Sequence, residues 1–415
     1  MTTSWRRGRI EASSALLPPR LVTNAMLAPH DPEEEARLLR QTGIRTRRYA
    51  DPDEATSDLA AQALRPLLVG QAAPPRALVV ATTSPDYPSP ATASYVHARL
   101  GLPPSTFAFD VASSCSSFLS ALLAGLGLVE ATGSVAVVAS EVKHKALGDD
   151  GRLRSLFADG AGALLLSRGD GQEGFLHAYS CLDAEYAHHI QIPVGGSRTP
   201  VTTENVAHAR LTMREPRLIF RHTVKAFCDA IEACWGVRAE ACARLGLDPD
   251  AVAGFIYAHQ ANANILREVR ERLPPNLAAR LPLFMEDVGN MVCASLPVMR
   301  TRMRVLERLW LADRFRLPSC VDGFFADARH GEGESLYVSD RSGGFFLEAL
   351  SSEVQYDLYA CVRAGTLAIT PQSRAQPRVD VWVCAGGGFQ TLGVLHGCGL
   401  PQALPGFSHA EEQFT

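Results

Sequence analysis

The sequence of 415 residues predicts a layered α/β protein, and three observations carry that expectation. Short, almost wholly apolar runs bounded by polar residues or glycine recur along the first half, as in strands buried on both faces. A longer run, SSFLSALLAGLGLVEAT at 116–132, is apolar on most faces and too long for a strand, so it predicts a buried helix. Strand-like and helix-like runs then alternate, the order of a chain that stacks helices on sheets.

The strand-like runs are RALVVATTS (76–84), TFAFDVASS (106–114), SVAVVAS (134–140) and GAGALLLSR (160–168). A second half begins near Glu215, dividing the chain into 1–214 and 215–415. There LIFRHTVKAFCDAIEACW reads as a helix and AGFIYAHQ (253–260) as a strand ending in polar residues. VDVWVC (379–384) is a strand before Gly386-Gly387-Gly388, and the apolar run TLGVLHGC follows. Residues 305–356 are charged, with glycines and aromatics but no clear period, and interrupt the pattern.

Composition narrows the function classes. The apolar share of 47% and charged share of 20% are those of a globular protein, and a net charge of −4 offers no basic field for nucleic acid. Positive charge is almost all arginine, with lysine only at Lys143, Lys145 and Lys225. The N-terminus lacks the apolar core of a signal peptide, and no run of about 18 uninterrupted apolar residues predicts a membrane span. The ten cysteines are scattered, without CxxC pairs or Cys/His ligand spacing. That pattern predicts free thiols, a reducing cytoplasm and no metal or other cofactor.

Three residues stand where chemistry is possible. Cys115 lies between a strand and the buried helix, where the positive end of the helix dipole is expected to lower its pKa. Small neighbours, Ala112 to Ser114 and Ser116 to Ser117, leave room for a substrate. The plainer reading is a core thiol. His259 ends an apolar strand, which by itself describes a hydrogen-bonded core histidine. Asn290 follows Gly289 and by itself reads as a turn or cap residue. The glycine run at 386–388 is either a plain turn or a place where backbone N–H groups approach a reacting carbonyl oxygen.

Taken together these segments say more. AFDVASSCSSFLSAL, HQANANI, GNMVCASLP and AGGGF occur in this order, with GIRTRR (43–48), TTSPDYP (82–88), DGAGALLL (159–166) and GGSR (195–198). Eight motifs in order resemble the β-ketoacyl-acyl-carrier-protein synthase III family, from about residue 8 to the C-terminus except for 305–356. The resemblance implies a thiolase fold, two similar α/β halves forming a five-layered core, and a homodimer. It also implies a Cys-His-Asn triad on Cys115, His259 and Asn290, with an oxyanion held by the backbone N–H groups of Cys115 and Gly387. The implied reaction loads an acyl group from a thioester onto Cys115 and condenses it, with decarboxylation, with a malonyl- or β-ketoacyl-thioester. The alternatives are acyl transfer to a hydroxyl or amine and a non-catalytic partner subunit.

The chain departs from the family pattern at several places. Arg37 and Gln41 stand where Trp and Arg grip the adenine of acyl-CoA, so the aromatic platform is missing. Ser89 occupies the position of a bulky residue that shapes the acyl pocket; with Tyr87 and Phe118 it is expected to line the substrate channel, although Phe118 equally reads as core. Arg221, Arg267, Arg270 and Arg272 are the candidate dock for an acidic acyl carrier protein, or else a solvated face. About fifty residues are inserted between SLPVMRTRM and YACVRAGTL, which resembles the end of the helix that SLPVMRTRM begins. The insertion reads as a surface excursion, or as a lid or docking surface built on Phe324, Phe325, Tyr337, Phe345 and Phe346.

Overall fold

The structure, a computed structural model, describes residues 8–69, 71–169, 174–244, 246–252, 254–311, 335–340, 343–347, 365–370, 378–385 and 390–398. Strand β1 (Gly8–Leu17) opens it, and β2 (Ala77–Ala81), β3 (Phe107–Val111), β4 (Ser134–Glu141) and β5 (Gly160–Arg168) fall on the apolar runs. β2 lies parallel between β3 and β4, with Leu78 opposite both Ala108 and Ala136. β5 runs antiparallel between β4 and β1. All of β2 is buried, which is why its sequence is an unbroken apolar run rather than an alternation.

The remaining strands of the two large sheets are β6 (Gly174–Leu182), β7 (Ile256–Ala258), β8 (Ser335–Asp340), β9 (Gly343–Leu347), β10 (Gly365–Thr370), β11 (Arg378–Cys384) and β12 (Gln390–Cys398). One sheet has the order β9-β8-β10-β1-β5-β4-β2-β3, the other β7-β11-β12-β6. β6, which precedes Glu215 in the chain, thus sits in the second sheet, and β10 pairs antiparallel with β1 in the first.

Helices α1 (Pro32–Thr42), α2 (Thr56–Leu68), α3 (Ser117–Thr132), α4 (Pro216–Arg244), α5 (Ala263–Arg272) and α6 (Ser295–Leu311) complete the layers. Leu78 and Val80 of β2 pack toward α2, while Ala77 and Val79 share a core with Phe118 of α3 and Val298 of α6. Tyr257 and Trp382 face that same central core from the second sheet. Ile256, Val381 and Val383 turn the other way, onto α4 and α5. The period of two puts each sheet between two helical layers, five in all, as the family resemblance implies. Gly162 shows how tightly they close: a Cβ there would stand 2.8 Å from the backbone nitrogen of Val298, so α6 presses directly on β5.

By length and hydropathy the segment Ser114–Thr132 could cross a membrane; here it is the central helix between the sheets. Two expectations about the insertion need correcting. The last three residues of YACVRAGTL (359–367), expected to end a helix, instead begin strand β10, and 359–364 lie outside the described residues. Residues 335–347, expected to be an excursion, contain β8 and β9, paired antiparallel with Asp340 opposite Gly343 at the sheet edge. The signal was present in SLYVSD and GGFFL, two short runs with β-forming residues around an Arg-Ser pair. Phe324 and Phe325 lie outside the described residues.

Candidate active site

The carboxyl ends of β2, β3 and β4 lie side by side, the usual place for a site on an α/β sheet, and each strand gives way to polar residues there. Thr82–Ser84 follow β2, Ser113–Cys115 follow β3, and Glu141–Lys143 end β4.

Cys115 stands just before α3, whose N-cap is Ser116. The turn that presents it is made by serines. Ser114 adopts φ +56°, a left-handed conformation that costs ~1–2 kcal/mol outside glycine. The Ser117 hydroxyl accepts from Ser113 N at 2.8 Å and donates to Ser114 O at 2.6 Å. Cys115 is 7% exposed. The expected lowering of its pKa is not found: burial pushes the thiol up to about 11. Lys143 pulls the value down and Glu141 pushes it up. Desolvation of the thiolate outweighs a helix end that starts two residues later.

His259 follows β7, and its backbone N–H donates to Val383 O at 2.8 Å. The Gln260 amide fixes the bend, donating to Ala258 O at 2.9 Å and accepting from Phe284 N at 2.7 Å. The His259 ring is 1% exposed, and among the described residues neither ring nitrogen has a hydrogen-bond partner. A buried imidazole without partners is costly for folding and suits one that waits for a ligand. Burial pushes its pKa down to about 4, so it is neutral at physiological pH. Below its unfolded value the free chain takes up a proton that the native site refuses, so His259 weakens stability as pH falls from about 6.5 toward 4. Relative to H259A, the wild type should lose about 2 kcal/mol between pH 7 and 4.5 in denaturant titrations. A constant difference across that range would show that the ring titrates normally.

Asn290 is placed by its own backbone. Gly289 takes φ +75°, and a Cβ there would lie 2.8 Å from Ala158 Cβ. Asn290 N donates to Leu156 O at 3.1 Å and Asn290 O accepts from Ala158 N at 2.8 Å, tying the loop to the segment before β5. Its side chain accepts from Val292 N at 2.8 Å and donates to Ala261 O at 3.0 Å. Val292, β-branched, is held at φ +49° by that contact. One amide N–H of Asn290 is thereby committed, which leaves a second for a substrate.

These contacts bring the three residues to one place. The Asn290 amide reaches the loop after His259. Val383, which holds His259, precedes Cys384, a thiol close enough to Cys115 to respond to its charge. Ser116 Oγ donates across to Gln390 O at 2.7 Å, joining the start of α3 to β12. Cys293, three residues after Asn290, also responds to Cys115.

The motif GIRTRR supports the site from below. Arg47 is fully buried and donates to Asn24 Oδ1 at 2.6 Å and Ser155 O at 2.9 Å, with burial pushing its pKa down to about 10. Gly43 lies against Ala263 of α5, where any Cβ would overlap. The backbone carbonyl of Gln41 accepts from Asn262 at 2.9 Å and Asn264 at 3.1 Å, so HQANAN is anchored to the end of α1. Arg37 is exposed and paired with Glu34.

Phe118 is fully buried and stacks on Trp382 with centroids 6.0 Å apart. Tyr87 and Ser89 are exposed on the single chain. Arg221, Arg267 and Arg272 are exposed and Arg270 is half-buried; Arg272 pairs with Glu268 at 2.7 Å, and Arg267 donates to Asn264 at 2.8 Å. Gly387 lies outside the described residues. Sequence reading passed over Glu141 and Lys143 at the end of β4, whose charges act on the cysteine, and Thr83 and Ser84 after β2, which bond Glu141. The available signal was a polar run with a rare lysine directly after a buried strand.

Two sheets in five layers, with a cysteine, a histidine and an asparagine on loops that meet, define a thiolase-fold condensing enzyme. Residues 109–183 match the family model for 3-oxoacyl-[acyl-carrier-protein] synthase III. The chain is 36% identical over 268 residues to a 3-oxopimeloyl-[acyl-carrier-protein] synthase from Rhodothermus marinus, covering 63% of this chain and 75% of that protein. It is 35% identical over 308 residues to a β-ketoacyl-[acyl-carrier-protein] synthase III from Rhodospirillum rubrum, covering 71% of this chain and 89% of that protein. The fold is shared with the priming β-ketosynthase of the R1128 polyketide pathway, with TM-score 0.63 at 20% identity over 96% of this chain and 98% of that one. The chain belongs to the β-ketoacyl-acyl-carrier-protein synthase III family.

Proposed function

We propose that this chain is a decarboxylating ketosynthase in which Cys115 carries the acyl group. The sulfur attacks the carbonyl of an acyl thioester, and the donor thiol leaves with the proton. A malonyl- or β-ketoacyl-thioester then enters. As its carbon–carboxylate bond breaks and carbon dioxide departs, the electron pair passes into an enolate. His259 and Asn290 donate hydrogen bonds to the enolate oxygen. The enolate carbon attacks the acyl group, a carbon–carbon bond forms, and the Cys115 sulfur leaves.

The observation that carries this reading is the state of His259. A buried, neutral ring without hydrogen-bond partners among the described residues, near an asparagine with one N–H uncommitted among them, suits two donors awaiting an oxyanion. A ring that holds a proton only below about pH 4 is a poor general base. The edge strand β3, whose Phe107 is exposed, supports a homodimer joined along that edge. The arginines of α5 and Arg221 support docking of an acidic carrier protein. The names of the relatives support fatty-acid or polyketide-type assembly, and Arg37, Gln41 and Ser89 at the departures from the family pattern support a specialised acyl group rather than the general starter.

The test uses malonyl-carrier labelled in its free carboxylate together with a panel of acyl thioesters. Labelled carbon dioxide should appear only with those acyl groups that intact-mass spectrometry finds on Cys115. An acyl group that loads and then passes to an alcohol or amine without carbon dioxide release would replace condensation with acyl transfer.

A further inference from the structure

Beneath Cys115 lies a buried pair of opposite charges that the condensation chemistry does not use. Lys143 is 5% exposed and Glu141 fully buried, both at the end of β4. They are linked through Thr83 rather than directly. Lys143 Nζ donates to Thr83 Oγ1 at 2.9 Å, and Thr83 Oγ1 and N each donate to Glu141 Oε1 at 3.0 Å. Glu141 also accepts from Ser84 Oγ at 2.6 Å and from the Cys293 thiol at 3.0 Å. The carboxylate is saturated by donors from two segments, Thr83–Ser84 and Cys293. The ammonium has one well-placed hydrogen bond and a longer contact of 3.4 Å to Thr83 O.

An ion pair withdrawn from water costs more than an apolar pair of similar volume, so a core rarely holds one for stability. This one lies at the edge of the central core: Cys293, which donates to Glu141, shares that core with Cys115, and Thr82, next to Thr83, donates its N–H to Val111 O at 3.2 Å at the end of the strand that leads to Cys115. Both charges act on Cys115, in opposite directions. Among the described residues the other titratable groups that interact with it are the thiols of Cys293 and Cys384.

We infer that Lys143, with Glu141 as its counter-charge, is a positioning residue that sets how much of Cys115 is present as thiolate. Lys143 works through the sulfur and need not touch the substrate. Burial alone would leave the thiol almost wholly protonated at neutral pH; the ammonium recovers a fraction of thiolate, and Glu141 limits it. The inference rests on Cys115 as the nucleophile, but it is read by alkylation, which needs no thioester.

The experiment measures the rate of iodoacetamide modification of Cys115 against pH, followed on its peptide by mass spectrometry, with exposed Cys181 as the internal control. Lys143→Met should raise the apparent pKa by about one pH unit, slowing alkylation about tenfold below it. Glu141→Gln should move it down, and Lys143→Arg should stay near the wild type. Mere damage to the site would shift Lys143→Met and Glu141→Gln the same way. Opposite shifts support the inference; shifts of one sign, or none in either variant, overturn it. Should Lys143→Met fail to fold, the downward shift in Glu141→Gln decides. Failure of acyl loading with an intact alkylation profile would count against the proposed function and leave this inference standing.

Discussion

Cys115→Ala is expected to abolish the acyl-enzyme and to lower condensation by at least about 10³-fold, because the proposed reaction passes through a thioester on that sulfur. The other two thiols that sense Cys115 cannot stand in for it. Burial holds both Cys293 and Cys384 well above the ordinary thiol range, and Cys293 is tied to Glu141. The variant should remain folded. The serine turn that shapes the site is held by the Ser117 hydroxyl, which bonds Ser113 N and Ser114 O rather than the Cys115 side chain. Intact-mass spectrometry after incubation with acyl thioesters reads the outcome. A stable adduct on the folded alanine variant would remove Cys115 from its role.

The second large effect separates the two half-reactions. In His259→Ala the acyl group should still load, because a neutral ring with a pKa of about 4 is poorly suited to draw a proton from a thiol held at about 11. Condensation should fall about 10²–10³-fold, the usual cost of losing one oxyanion donor, so acyl-Cys115 accumulates. His259 is the cleaner of the two donors to remove. Its ring breaks no hydrogen bond among the described residues on leaving, whereas Asn290→Ala would orphan Ala261 O and Val292 N and add ~1–3 kcal/mol of destabilisation for each group left buried and unpaired. Single-turnover mass spectrometry distinguishes loading from condensation. If His259→Ala lost loading and condensation together, His259 would instead be the base that activates Cys115.

Much of this was legible beforehand, for identifiable reasons. β2, β4 and β5 are buried on both faces, so tertiary structure required them to be apolar throughout and each announced itself as an unbroken run. The triad residues were legible only as members of ordered motifs. Singly, Cys115 looks like core, His259 like a satisfied histidine and Asn290 like a cap. Asn290 does in fact accept from Val292 N, so that plain reading describes half of its side chain. Strands β8 and β9 escaped notice because a short edge hairpin carries no long period. β10 was misjudged because a strand and a helix end share the same few apolar residues.

The amino-acid sequence by itself determined the layers, the family and the identity of the residues that meet. Those properties are written in local pattern and motif order, which survive without coordinates. The ionisation of the site belonged to the tertiary structure alone. A thiol beside a helix start suggested a lowered pKa. Burial reversed it, because the desolvation of a charge depends on every layer around it and on the Lys143–Thr83–Glu141 arrangement beneath. The same burial keeps His259 neutral and, among the described residues, without hydrogen-bond partners, the state that the proposed role as an enolate donor requires.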